Sequence, residues 1–214
     1  KAIIDAVAVT GDAVGDLSGK NEARLRDLTR NFTGMGYAAE EVAQAVGYMG
    51  MAGMKTNQIM GSMEPTLKLA KAGSLDVART TDLVTDVTTS FGLKMGTTEE
   101  STKSMTRTAD VLTYTFTSAN TTLDYAARSL FAIGAVAPQA GLSLESMAGA
   151  VGQLGSAGIK AEKAGTSLRN VILRLANPKG PASDMFKALK LDVDDLTDAL
   201  ARDDLPGMFE KLNA

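Results

Sequence analysis

Residues 146–160 read SMAGAVGQLGSAGIK, and residues 41–55 read EVAQAVGYMGMAGMK. Laid one on the other, they are identical at Ala43/Ala148, Ala45/Ala150, Val46/Val151, Gly47/Gly152, Gly50/Gly155, Ala52/Ala157, Gly53/Gly158 and Lys55/Lys160. A stretch used twice in one chain marks a supersecondary unit used twice. In the first copy Val42, Ala45, Val46 and Met49 recur at the spacing of one helix face, and Ala43, Gly47 and Gly50 make a neighbouring stripe of small residues. A glycine inside a helix costs about 1 kcal/mol against alanine, so a pair at the same offsets in both copies needs a reason. Close approach of another helix is the expected one. Gly53 and Gly158 are placed to end each helix as left-handed caps, each followed by an apolar residue, Met54 or Ile159. The repeated positions are small and apolar, so they describe a packing surface. Helix-packing contacts are accordingly expected at Ala43, Gly47, Gly50 and Gly53, and at Ala148, Gly152, Gly155 and Gly158.

The composition excludes several classes of function. The 214 residues contain neither Cys nor His, which removes thiol nucleophiles, disulfides, imidazole bases and the commonest zinc ligands. No cofactor or metal site is expected. The net charge of -3 supplies no basic field for nucleic acid, so no specific nucleic-acid binding is expected of this segment. The opening KAIIDAVAVTGDAVGD carries Asp5 early and has too short an apolar run for a signal peptide. The longest apolar run, residues 130–138, is far below the roughly 20 residues a membrane-spanning helix needs. Aromatic residues make up only 5% while Met reaches 11, a composition suited to thin, closely spaced helices.

The period is helical almost throughout, and the fold class read from it is all-α, an array of short helices and helical hairpins with no confident strand. Helices are expected over 20–34, 38–52, 57–72, 75–91, about 98–116, about 121–137, the second repeat copy, and 160–176. Pro65 is expected to kink the third or start a second segment. Ser74, Thr121 and Ser143 are read as N-caps, and Thr97-Thr98-Glu99-Glu100 as a capping box. Pro138 and Gly141 close one helix, and Asn177-Pro178-Lys179-Gly180-Pro181 is the strongest turn signal. Leu-Asp-Val at 191–193 is the one candidate extended piece. From Asp184 onward acids outnumber bases eight to four. The domain reading is a helical extension over 1–36, a core over 37–180, and an acidic tail or linker over 181–214.

Chemistry-bearing patterns have plainer explanations. Gly149, Gly152, Gly155 and Gly158 stand three apart, but no strand precedes them and no Gly-Lys-Ser/Thr follows, so they are not a phosphate loop. The adjacent acids Glu40-Glu41, Glu99-Glu100, Asp194-Asp195 and Asp203-Asp204 point to different helix faces, and most fall in first turns, where they favour the helix dipole. No nucleophile–base set can be assembled, so no enzyme is expected. Arg169 and Arg174 sit five apart on the otherwise apolar run LRNVILRL. They are read as snorkelling or helix-capping side chains or, more sharply, as inter-subunit contacts.

Three runs carry a resemblance. Met51-Ala52-Gly53-Met54-Lys55-Thr56-Asn57-Gln58-Ile59 resembles the signature of the N-terminal core of phage tail tape-measure proteins. So do Ala140-Gly141-Leu142-Ser143-Leu144-Glu145 continuing to Ala157-Gly158-Ile159, and Ala164-Gly165-Thr166-Ser167-Leu168-Arg169 continuing to Leu173-Arg174-Leu175-Ala176-Asn177-Pro178. They cover roughly residues 37–180, in order. The resemblance implies a minor virion component that sets tail length, nucleates tail-tube assembly with chaperones and leaves the tail at DNA delivery. It implies partners among tube, tail-tip or baseplate proteins and assembly chaperones, and a place inside the tail tube after assembly in the host cytoplasm. Host-membrane contact would fall to other parts of a full-length protein, and the small-residue faces suggest a homo-oligomer. Catalytic residues are not part of the family's core. As one continuous helix 214 residues would reach about 320 Å, but the glycine and proline stops argue for a compact helical domain. A helical scaffold or adaptor and a membrane-active helical domain are the alternative readings.

Overall fold

The computed structural model describes residues 19–176, 198 and 202–204. Among them are eight α-helices and no strand: α1 (Lys20–Gly34), α2 (Ala39–Met51), α3 (Thr56–Gly73), α4 (Val77–Ser90), α5 (Thr98–Ser118), α6 (Leu123–Gly134), α7 (Leu144–Ser156) and α8 (Glu162–Ala176), with a 3-10 turn at Pro138–Ala140. They form two compact units. The first takes α1 to α4 up to Thr89, then residues 93–113; the second takes residues 90–92 and the chain from Tyr114. The extended piece at 191–193 and the turn at 177–181 lie outside the described residues, as does nearly all of the acidic tail.

In the first unit, apolar residues at helical spacing are buried and charges stay outside. On α1 Leu25, Leu28 and Phe32 face inward, while Arg26 pairs with Glu22 and Arg30 with Asp27 on the exposed side. The Phe32 and Tyr37 rings meet edge to face, 6.2 Å apart, the favoured geometry for two ring quadrupoles. Helix α3 runs unbroken through Pro65 rather than restarting there. The ring removes the donor that would reach the Gly61 carbonyl. Both residues are only partly buried, so water can take that carbonyl instead.

The core of this unit is rich in hydroxyls. Thr80, Thr81, Thr85 and Thr88 of α4 are all buried. Each turns its hydroxyl back onto the carbonyl four residues earlier, as Thr81 does to Val77 at 2.7 Å and Thr88 to Val84 at 2.6 Å. Burying a hydroxyl without a partner is costly, and back-bonding satisfies it within its own helix. Thr88 also meets Thr108 of α5 at 2.9 Å.

Helix starts follow local chemistry with two shifts. Thr97 and Glu100 form the expected reciprocal capping box, each side chain 3.1 Å from the other's backbone nitrogen. Ser74, read as an N-cap, instead ends α3 in the left-handed conformation at φ 48°, and Asp76 caps α4 by accepting from the Arg79 amide at 2.9 Å. Thr122 rather than Thr121 caps α6.

The second unit is more aliphatic. Leu123, Ala126, Ala127, Leu130 and Ile133 line the buried face of α6. Gly141, at φ 81°, turns the chain after the 3-10 segment, and the Leu142 amide reaches back to the Ala137 carbonyl at 2.9 Å. Ser143 caps α7 as expected.

Candidate helix-packing interface

The two repeat copies fold into α2 and α7, each of 13 residues. Both close in one way. The Gly53 amide bonds the Gly50 carbonyl at 2.9 Å and the Met54 amide the Met49 carbonyl at 3.1 Å. The Gly158 amide bonds Gly155 at 3.0 Å and Ile159 bonds Leu154 at 2.8 Å. This is the double bond of a Schellman cap. It needs a positive φ, which Gly53 (83°) and Gly158 (84°) supply.

The small-residue stripes are used differently. Ala43 and Gly50 are buried in the first unit, and Ala148, Gly152 and Gly155 in the second. Gly47 is half-buried, and a Cβ built on it meets no atom of the described residues within 4 Å. Its counterpart Gly152 is covered: a Cβ there would lie 3.3 Å from the Ala119 methyl. At Gly155 it would lie 3.1 Å from Thr121 Cβ and 3.4 Å from the Asn120 carbonyl oxygen. The segment lying on α7 is tied down by Ser156, which takes the Asn120 amide at 3.4 Å, and by the Lys160 amine, 3.2 Å from Asn120 Oδ1.

A close helix approach in the second unit is one that the repeat does not mark. A Cβ on Gly165 of α8 would stand 2.7 Å from the Ala132 methyl and 2.8 Å from the Ser129 carbonyl oxygen of α6. Ser129, buried, lies with its hydroxyl 2.8 Å from both the Tyr125 and the Ala161 carbonyls, spanning the two helices. Arg128 bridges Asp124 at 2.8 Å and Glu162 at 2.9 Å on the surface of this seam. The first-unit counterpart is Gly61 of α3, whose missing Cβ makes room for the Thr102 hydroxyl of α5. A mid-helix glycine without local excuse was the signal available for both.

Arg169 and Arg174 are exposed on α8, beside the half-exposed Val171 and Leu173. Neither pairs with an acid among the described residues.

One groove, of about 470 Å³, runs in the first unit between α3 and α5 past Gly61, Glu64, Pro65, Lys68, Thr106 and Asp110. Lys68 is paired with Glu64 at 2.7 Å, and that hydrogen bond, with the charge behind it, raises the exposed amine above its usual range. A spent ion pair and threonines offer no activated nucleophile. Among the described residues no group of three or more acids could hold a metal ion, and no helix is long and apolar enough to cross a membrane.

The geometry is therefore that of helices packed through glycines and closed by glycine caps, and comparison with known proteins agrees with a structural part. Residues 26–214 match the family described as phage-related minor tail protein. The chain is 32% identical over 142 residues to the tape measure protein of Pneumococcus phage Dp-1, covering 66% of this chain and 12% of that one. It is 29% identical over 158 residues to the probable tape measure protein of Escherichia phage P2, covering 74% of this chain and 18% of that one. It thus spans less than a fifth of the length of either relative. No solved structure matches it significantly. A family match that takes in most of the chain, joined to two tape-measure relatives, shows that the chain belongs to the phage-related minor tail proteins, as a tape-measure segment with a structural role in a phage tail.

Proposed function

We propose that the full-length protein sets tail length, nucleates assembly of the tail tube and is released at DNA delivery, and that this segment is a compact docking portion of it. The observation that carries the reading is the family match over residues 26–214, joined to a fold of short, separately capped helices. A ruler segment gains length from continuous helix, whereas the glycine caps after α2 and α7 fold the chain back on itself. The partners in this reading are tube, tail-tip or baseplate proteins and assembly chaperones. Its place is the interior of the tail tube, reached from the host cytoplasm. Catalysis has no part in it.

Self-association is the second element. The repeat stripes, from Ala43 to Gly53 and from Ala148 to Gly158, serve as helix-packing surfaces in this reading. The exposed Arg169 and Arg174 serve as inter-subunit contacts of a homo-oligomer, because Arg offers a planar fork to a carboxylate. Residues 37–180 make up the core that docks.

The deciding experiment is an in-frame deletion of residues 37–180 in the parent phage or prophage, with tail lengths measured by electron microscopy. Absent tails support a docking or nucleating segment. Tails shortened by about 1.5 Å per deleted residue would make the segment part of the ruler and overturn the docking assignment. Tails of normal length would overturn both.

A further inference from the structure

The two copies differ where the helices begin. In α2 the N-cap amide, that of Ala38, is taken by the Glu41 carboxylate three residues on, at 3.3 Å. The repeat partner of Glu41 is Ser146, and the partner of Ala38 is Ser143. A serine at this third position is too short to reach back. The Ser143 hydroxyl is also committed, accepting from the Ser146 amide at 3.1 Å. The Ser143 amide is bonded all the same, by a carboxylate sixty residues away: Asp203 Oδ1 accepts it at 2.9 Å.

We propose that Asp203 is a releasable strap: it fastens residues 202–204 to the start of α7 by supplying the capping carboxylate that the second repeat copy lacks. Two features support it. A carboxylate at a helix N-terminus is stabilised by the dipole and by the unpaired amides. Burial pushes the Asp203 carboxyl up, but the hydrogen bonds from Ser143 and Ser146 outweigh it and hold the group below its usual range. The site admits one carboxylate, so any other that caps α7 evicts Asp203. The strap goes beyond the tail role and does not depend on it.

The test uses the whole chain and trypsin cleavage after Arg202, an exposed residue inside the strapped segment, followed by mass spectrometry. Ser146→Glu completes a Ser-x-x-Glu capping box on α7 and leaves Asp203 in place. Asp203→Ala removes the strap directly. Both should speed cleavage after Arg202 by about fivefold, the effect of losing one hydrogen bond to a local opening equilibrium. Amide-exchange protection of the first turn of α7 should hold in Ser146→Glu and fall in Asp203→Ala. Glu41→Ser, which strips the equivalent carboxylate from the first copy, should leave cleavage after Arg202 unchanged. Wild-type cleavage in Ser146→Glu would overturn the strap, because Asp203→Ala also changes the residue that follows the cleaved bond. So would a Glu41→Ser chain that is cleaved as fast as Ser146→Glu.

Discussion

In the first copy of the repeat α2 ends at Met51, Ala52 takes φ -74° and ψ 5°, and Gly53 turns at 83°; in the second α7 ends at Ser156, Ala157 takes -80° and 4°, and Gly158 turns at 84°. The faces of the same helices differ. Gly152 lies under Ala119, while Gly47 meets nothing within 4 Å among the described residues. Identical residues thus have identical local consequences and different tertiary ones. A cap is made of backbone groups within six residues, so it travels with the sequence. A packing contact needs a neighbour, and the neighbour lies outside the repeat. The glycines of the caps and the glycines of the stripes therefore answer to different physics, although they occupy one motif.

The sharpest break in this comparison comes from a glycine outside the motif. In Gly165→Ala the new methyl would meet the Ser129 carbonyl oxygen at 2.8 Å, and backbone cannot swing aside as a flexible side chain can. The α6–α8 seam must open, at a cost of about 2–3 kcal/mol. Thermal unfolding should show a fall in Tm larger than for any other single glycine-to-alanine change named below. A fall no greater than that of the stripe glycines would mean that the seam gives easily.

Next in size are the caps, where the two copies should agree. Gly53→Ala and Gly158→Ala each place a Cβ on a left-handed backbone at about 1–2 kcal/mol, with open space around both. The two losses should match closely, because both caps hold the same left-handed backbone with open space around it. A large difference in denaturant midpoints would show that one cap is coupled to its surroundings in a way its geometry does not reveal.

What could be read before the structure divides along the same line. Helix class, the capping box at Thr97 and Glu100, the Ser143 cap and both glycine caps rest on residues within one turn of each other. The two displaced caps lie where two competent residues compete, Ser74 with Asp76 and Thr121 with Thr122. The end of the preceding element decides the first: Ser74 is already used by α3, whose closing bond runs from the Leu75 amide to the Ala70 carbonyl. Gly165 stood in a run singled out for its resemblance, but nothing local says which carbonyl it would face. The division into two units falls inside α5, between Thr113 and Tyr114, with neither glycine nor proline to mark it. Asp203 reaches Ser143 across sixty residues, a pairing no periodicity encodes.

The smallest effects belong to the stripes, and here the copies should differ in sign. Gly155→Ala brings a methyl to 3.1 Å from Thr121 Cβ, and Gly152→Ala to 3.3 Å from Ala119. Both are tight contacts that a loop can yield to by a few tenths of an ångström. Each also gains up to about 1 kcal/mol of helix propensity, so the net loss should be about 1 kcal/mol or less, larger at Gly155. Gly47→Ala has the propensity gain and no clash, and should stabilise the chain by about 0.5–1 kcal/mol. Opposite signs at the aligned pair Gly47 and Gly152, read from urea midpoints at unchanged slope, would show that the open face of α2 is open in solution too. A destabilised Gly47→Ala would instead mean that something lies over α2, and that the two copies use their faces alike.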